Sequence, residues 1–345
     1  MPEILEGLPF ALKQEINQPF DPICRDAEAH QIEKLVADLK LNPSIQYKPT
    51  NLEECSTHKK ATGFSILAHT FVDEPDSGMD QNLPDSADPN DERPWMGGKT
   101  GATSQGFRHM YFGGVKPFHP LRTFQVPTRP VGQAPDRVEL MALKARELMR
   151  AGNKAMGYRV LAWTIHYIQD LAQPFHTTQI PSLEMVPWHV LFAWPPSEGF
   201  QNLVRETTRT ITNYHWAFEG YVHDRLLAPE GPFKDCLIHP ETNHTLEIIN
   251  SIAPSPRETA HLVADASIRL ATRVGQGSIH FFGLKLKSRE IYLPDNLGTP
   301  DYKDLAVRPD LTGERGKLND ATCAALANAA SGTSALIEWT TRHPN

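Results

Sequence analysis

Two short stretches carry the residues best suited to chemistry. In IHYIQDLAQPFH, residues 165–176, His166 and Asp170 stand four apart, so on a helix both project from one face. Pro174 ends or kinks that helix, and His176 follows at once. In NYHWAFEGYV, residues 213–222, His215 and Glu219 repeat the spacing. Imidazole nitrogen and carboxylate oxygen are the usual non-thiolate ligands of zinc, and a catalytic zinc site keeps a position open for water. Two helices that each present a His and a carboxylate suit such a metal. His166 and Asp170 lie within VLAWTIHYIQDLAQPF, an apolar run that reads as buried. Burying an imidazole and a carboxylate is costly unless they pair or bind a metal. The spacing also admits a plainer reading, a buried His–Asp pair that only ties helices together.

The elements that must hold these residues are helical. Apolar residues recur at helical spacing over 26–41, 58–72 and 201–227. The stretch 137–152 follows Asp136, a good N-cap, and ends at a glycine, and 154–173 is apolar up to Pro174. Ser255, Pro256 and Glu258 open a helix with a capping box that runs to about His280. An alanine-rich helix over 321–341 closes the chain. Long Pro/Gly/Asp-rich loops are expected at 74–135, 180–200, 228–243 and 285–316. No stretch alternates convincingly as a strand, so the expected architecture is all-α: one helical domain over 1–345 with large surface loops.

Composition narrows the function classes. The 345 residues are 40% hydrophobic, ample for a buried core, and the net charge of −7 argues against a basic face for long nucleic acid as the default. No apolar run is long enough for a transmembrane helix. The start, MPEILEGLPFALKQEINQPFD, lacks the basic head, apolar core and cleavage site of a signal peptide. On that reading the protein stays inside or its true start lies upstream of Met1. Cys24, Cys55, Cys236 and Cys323 form no CxxC pair, so a cysteine zinc site is not expected, and free, partly buried thiols are the favoured reading.

HYIQDLAQPFH, followed about forty residues on by HWAFE, resembles the signature of the zinc-dependent phospholipase C family. That pattern is His-three-Asp-five-His with Gln-Pro before the last His, then His-three-Glu. Here His166, Asp170, His176, His215 and Glu219 fill it. The preceding run ALKARELMRAGNKAMGYRVLAWTIHY is also similar to the family's approach to the motif, and the first 50 residues match poorly. The family is related in fold to the fungal single-strand-specific nucleases, in which the second pair tends to be His-three-Asp. Glu219 therefore tips the resemblance toward the phospholipase branch.

What the resemblance implies is an all-α fold of the phospholipase C / single-strand nuclease type and a fuller ligand set. An upstream Asp and His join the first zinc. Of Asp73, Asp76 and Asp80, Asp73 is preferred because it follows directly on an apolar helix, and Asp76 is second. For Asp76 and Asp80 a plain acidic turn is the alternative. His109, in RHMYFGG, is the implied loop histidine, with His119 as fallback, and His69 reads as a core histidine or an outer partner. Asp73, His109, His166 and Asp170 then hold one zinc, and His176, His215 and Glu219 a second. A third zinc of the family uses the second motif carboxylate, a first-helix His, for which His30 is the only candidate, and an N-terminal Trp. This sequence begins with Met1 and its first tryptophan is Trp95, so two zinc ions are expected. The family also implies export.

The implied reaction is hydrolysis of a phosphoester, with Asp73 as general base where its carboxylate can reach water. The expected substrate is a small-molecule or lipid phosphodiester, with transient membrane-surface contact, in preference to nucleic acid. A zinc-dependent single-strand nuclease or nucleotide phosphatase on the same fold is the first alternative, and a catalytically silent zinc-binding helical protein the second. The insert LEMVPWHVLFAWPP, 183–196, carries Trp188, Phe192 and Trp194. It is expected to pack on the core through its aromatics, the alternative being a cleft wall facing an apolar substrate.

Overall fold

A computed structural model describes residues 1–21, 25–45, 47, 60–68, 70–81, 102–113, 129–192, 196–228, 231–240, 247–248, 254–293 and 308–342. Among them the fold is all-α. The helices are α1 (Pro2–Gly7), α2 (Phe10–Ile16), α3 (Arg25–Asp38), α4 (Gly63–Leu67), α5 (Ala102–His109), α6 (Ala134–Arg150), α7 (Lys154–Ala172), α8 (Pro174–Thr177), α9 (Pro196–Leu227), α10 (Pro232–Ile238), α11 (Pro256–Phe282) and α12 (Thr312–Arg342). Short 3-10 turns link several of them, and the two β-bridges, Phe20 to Ala61 and Phe112 to Val131, are isolated.

The sequence of α7 is apolar nearly all round, and a helix of that kind belongs at the centre of a bundle. It packs against α6, α11, α12 and α4, and from Ala155 to Ile168 every residue is buried. The α6–α7 contact is the most extensive between helices among the described residues and depends on Gly157. A Cβ there would stand 2.5 Å from Met149 Cγ, so only glycine admits this approach. One apolar cluster surrounds α7, with Leu12, Leu35, Ile66, Met141, Trp163, Val263 and Leu336 among its members. A second surrounds the later half of α9, with Phe175, Tyr214, Phe218, Tyr221, Phe281 and Leu318. His166 and Asp170 belong to the helix at the centre of the first cluster, and His215 and Glu219 to the helix at the centre of the second.

Several expectations are corrected. The helix expected over 58–72 is shorter: α4 stops at Leu67 and the chain continues as a 3-10 turn, Thr70–Asp73. The loop expected over 74–135 contains α5, and the one over 228–243 contains α10. α6 begins at Ala134 with Pro135 in its first turn, so Asp136 lies inside the helix instead of capping it. The poorly matched N-terminus forms α1 and α2, whose Ile4, Leu5, Leu12 and Ile16 are buried.

The favoured reading of free thiols is also overturned. Cys236 and Cys323 form a disulfide that joins α10 to α12 across 87 residues. Closing a loop of that length restricts the unfolded chain by about 4–5 kcal/mol in the chain-entropy view. Cys24 and Cys55 lie outside the described residues.

Candidate metal centre

Residues from five segments meet in two groups. His166 and Asp170 project from the same face of α7. Asp76 comes from the 3-10 turn Pro75–Ser77, and His109 is the last residue of α5. In this first group His109 Nδ1 lies 3.0 Å from His166 Nε2 and 2.9 Å from Asp170 Oδ2. His166 Nε2 is 3.2 Å from Asp170 Oδ2, and Asp76 Oδ1 is 3.5 Å from both imidazole nitrogens.

The second group joins α8 to α9. His176 Nε2 is 3.0 Å from His215 Nε2 and 3.3 Å from Glu219 Oε1, and His215 Nε2 is 2.8 Å from Glu219 Oε1. Its placement follows from local sequence. α7 ends before Pro174, and Gln173 then caps α8 by accepting from the Phe175 backbone N–H. The other end of the same amide, Nε2, donates to Glu219 Oε1 at 3.2 Å. Phe175 stacks on the His215 ring, 5.5 Å between centroids and 3° between planes, which fixes that ring.

These distances suit a cation. Donor atoms about 2.0–2.1 Å from a tetrahedral zinc stand about 3.3 Å from one another. The closest approaches here, 2.8–3.5 Å, cluster around that edge length. Protons alone serve the groups poorly, because one hydrogen between two nitrogens satisfies a single pair and leaves other lone pairs facing each other. The donor set, nitrogen and oxygen with no sulfur, is also of zinc type.

Charge within the groups is tightly coupled. Burial disfavours the ionised form of Asp170, but His166 and His176 outweigh it and hold the carboxyl well below the usual range. Glu219 is lowered too: burial opposes its charge, and His215 and His176 overcome that. Burial likewise opposes a charge on His176, yet Asp170 and Glu219 push it up to about 10. Both groups remain open on one side, since the side chain of Asp76 is 62% exposed and that of Glu219 43%.

The acidic segment 74–80 is gripped at both ends. Arg159 and Trp163 on α7 hold Glu74, with Trp163 Nε1 donating to Oε2 at 2.7 Å. Asp80 is wholly buried and accepts from Arg108, from Arg137 on α6 and from the Tyr167 hydroxyl on α7. Burial raises the Asp80 carboxyl, and Arg137, His109 and Arg108 more than reverse that, so it sits well below its ordinary value. Asp76 is thereby displayed between two anchored carboxylates.

The structure brings together His109, His166, Asp170, His176, His215 and Glu219, and it departs from expectation at two residues. Asp73 is exposed at the end of its 3-10 turn, where its backbone carbonyl accepts from Ser77 Oγ, and it joins neither group. Because the helix stops at Leu67, the chain turns tightly and Asp76 is the carboxylate that faces the histidines. His30 is exposed on α3, 3.8 Å from Glu33, and also joins neither group. His69, His119, Trp95 and Trp194 lie outside the described residues.

Sequence reasoning missed the roles of Gln173, Asp80 and Arg137. A usable signal was the isolated arginine: Arg159 in the middle of an apolar helix demands a buried carboxylate partner. The insert 183–196 packs through Met185, Val186 and Val190, while Trp188 is half-exposed and Phe192 faces solvent at 90%. Trp188 and Phe192 therefore do not anchor it in the core as expected, and Trp194 lies outside the described residues. Beside the second group, Gln173 and Glu219 form the polar edge of a largely apolar cavity of about 300 Å³. Ile4, Ala172, Phe218, Leu226 and Leu326 supply much of the rest. No protein-family model, no curated protein and no solved structure matches this chain.

Proposed function

We propose that this chain is a zinc-dependent hydrolase of phosphoester bonds, acting as a phospholipase-C-like phosphodiesterase. The observation that carries the reading is the pair of open donor groups, Asp76/His109/His166, with Asp170 against both histidines, and His176/His215/Glu219, whose donor atoms stand at distances that suit zinc. Zinc held by both groups would supply positive charge for the phosphoryl oxygens and would lower the pKa of an attacking water.

The chain's own residues do the rest. Asp170 and Glu219 are held ionised by their histidine neighbours, so each group contains an anionic oxygen that a bound cation would face once it displaces the histidine protons. Asp76, exposed on one side, is the carboxylate placed to accept a proton from water, the part the sequence assigned to Asp73. Gln173 and Phe175 hold Glu219 and His215 in place so that little reorganisation accompanies reaction. The apolar cavity against Glu219 supports a substrate with an apolar portion, and the exposed Phe192 and Trp188 support transient contact with a lipid surface. Among the described residues no helix is long and apolar enough to cross a membrane. The Cys236–Cys323 disulfide suits an oxidising compartment, in keeping with the export that the resemblance implies.

The test is a parallel assay with zinc present, using a chromogenic phosphodiester, phosphatidylcholine micelles and single-stranded DNA. Chelator-sensitive turnover of the first two substrates, faster than of DNA, is expected. Faster turnover of DNA would favour the nuclease reading, and no turnover of any of the three by zinc-loaded protein would favour the silent zinc protein.

A further inference from the structure

We propose that Asp80 is a positioning residue for the first donor group. It fixes the His109 ring with its proton on Nε2 and so turns the Nδ1 lone pair toward the point shared by Asp76, His166 and Asp170. The inference rests on the zinc reading given above.

His109 is buried at 3% exposure, so the protein and not solvent decides which ring nitrogen carries the proton. Both nitrogens face carboxylates: Nδ1 is 2.9 Å from Asp170 Oδ2, and Nε2 is 3.3 Å from Asp80 Oδ2. A neutral imidazole has one N–H to give. If it sat on Nδ1, the lone pair would point away from the donor group and His109 would be lost as a ligand. If it sits on Nε2, Asp80 receives it and Nδ1 is free to ligate. The pairing of a ligand histidine's outer nitrogen with a carboxylate is a general way of setting tautomer and ring orientation.

Asp80 is built for this role. Its carboxylate takes donors from three helices, Arg108 on α5, Arg137 on α6 and Tyr167 on α7, so it cannot swing away. The arginines are fixed in turn, Arg108 on the Lys40 carbonyl at 3.0 Å and Arg137 on the Leu39 carbonyl at 3.1 Å. The ring itself is confined by His166 and Tyr167, with centroids 4.9 and 5.0 Å away. The Nε2 contact is longer and less aligned than an ideal hydrogen bond, and Nε2 is buried with no other hydrogen-bond partner, so Asp80 Oδ2 is the acceptor it faces.

A residue that only neutralised Arg108 and Arg137 would matter to stability alone, and the test separates the two roles. Zinc affinity is measured by chelator competition on the full chain for wild type, Asp80→Asn and Val138→Ala. Val138 is a buried core position next to Arg137. His215→Ala, which disables the second group, assigns the two sites. Asp80→Asn is expected to weaken zinc at the first group by about 10- to 100-fold and to leave the second unchanged. Val138→Ala is expected to lower Tm and change neither affinity. In zinc-loaded wild type, two-bond proton–nitrogen correlations are expected to place the His109 proton on Nε2 and the metal on Nδ1. Unchanged first-site affinity in Asp80→Asn, an equal drop in Val138→Ala, or a His109 proton on Nδ1 would each overturn the inference. Should Asp80→Asn fail to fold, the wild-type spectrum decides alone. Wild-type protein that takes up no zinc would overturn the zinc reading and this inference with it, a result distinct from retained zinc with unchanged Asp80→Asn affinity.

Discussion

Asp170 faces His176 with one carboxylate oxygen while the other serves the first donor group: Oδ1 lies 3.0 Å from His176 Nδ1, and Oδ2 lies 2.9 Å from His109 Nδ1. Because the outer edge of His176 leans on Asp170 while its Nε2 points at His215, a single carboxylate couples both groups. Asp170→Ala is therefore expected to weaken zinc at both sites and to cost about 3–5 kcal/mol of stability, the usual penalty for breaking a buried charge pair. Glu219→Gln is expected to weaken the second site alone. Chelator titrations and denaturant melts of the two variants check this, and an Asp170 variant with an intact second site would contradict the coupling.

A second expectation separates two neighbouring carboxylates. Asp76 stands 3.5 Å from His109 and His166, whereas Asp73 joins neither group. Asp76→Asn should lose zinc affinity at the first group and most phosphodiesterase activity. Asp73→Asn should keep both within about twofold, since surface substitutions away from special features change little. The reverse pattern would restore the assignment that the sequence favours.

Zinc uptake should release protons. In the metal-free chain burial works against a charged His176, but Asp170 and Glu219 raise it to about 10, so it carries a proton at neutral pH that a metal must displace. Calorimetric titration of zinc into metal-free protein at pH 7, in buffers of different ionisation enthalpy, should show net proton release. Zinc affinity should fall as pH is lowered, because protons compete for the same imidazoles. Uptake with no buffer dependence would contradict this.

The disulfide makes a prediction of another kind. The double variant Cys236→Ser with Cys323→Ser should lose about 2–5 kcal/mol of stability. Zinc content should be unchanged, because α10 and α12 carry none of the donors. Loss of zinc in a folded double variant would tie the bridge to the site.

What the sequence made legible was local. His166 with Asp170 and His215 with Glu219 announce themselves because helical periodicity puts both members on one face, and both lie on the helices expected for them. His176 follows from the proline break. The upstream donors come from segments with no such period. Asp73, Asp76 and Asp80 share one acidic turn, and which of them faces the histidines depends on where α4 stops, a tertiary matter. Asp80 was readable as a further ligand candidate or as a turn residue, yet Arg137 and Tyr167 bury it from two other helices. α5 and α10 were hidden inside stretches rich in glycine, proline and aspartate. Local propensity is weak there, and packing against α6 and α12 decides. The Cys236–Cys323 pairing was equally out of reach, since spacing alone does not choose among pairings.

The central claim is tested most directly by metal stoichiometry. Protein purified without chelator and dialysed against metal-free buffer is analysed by elemental mass spectrometry, alongside the double variant His166→Ala with His215→Ala. Two tightly held zinc ions per wild-type chain, and none in the variant, are the expected result. Wild-type protein that retains no zinc, and takes up none when it is supplied, would contradict the account and leave the two groups as hydrogen-bonded struts between helices.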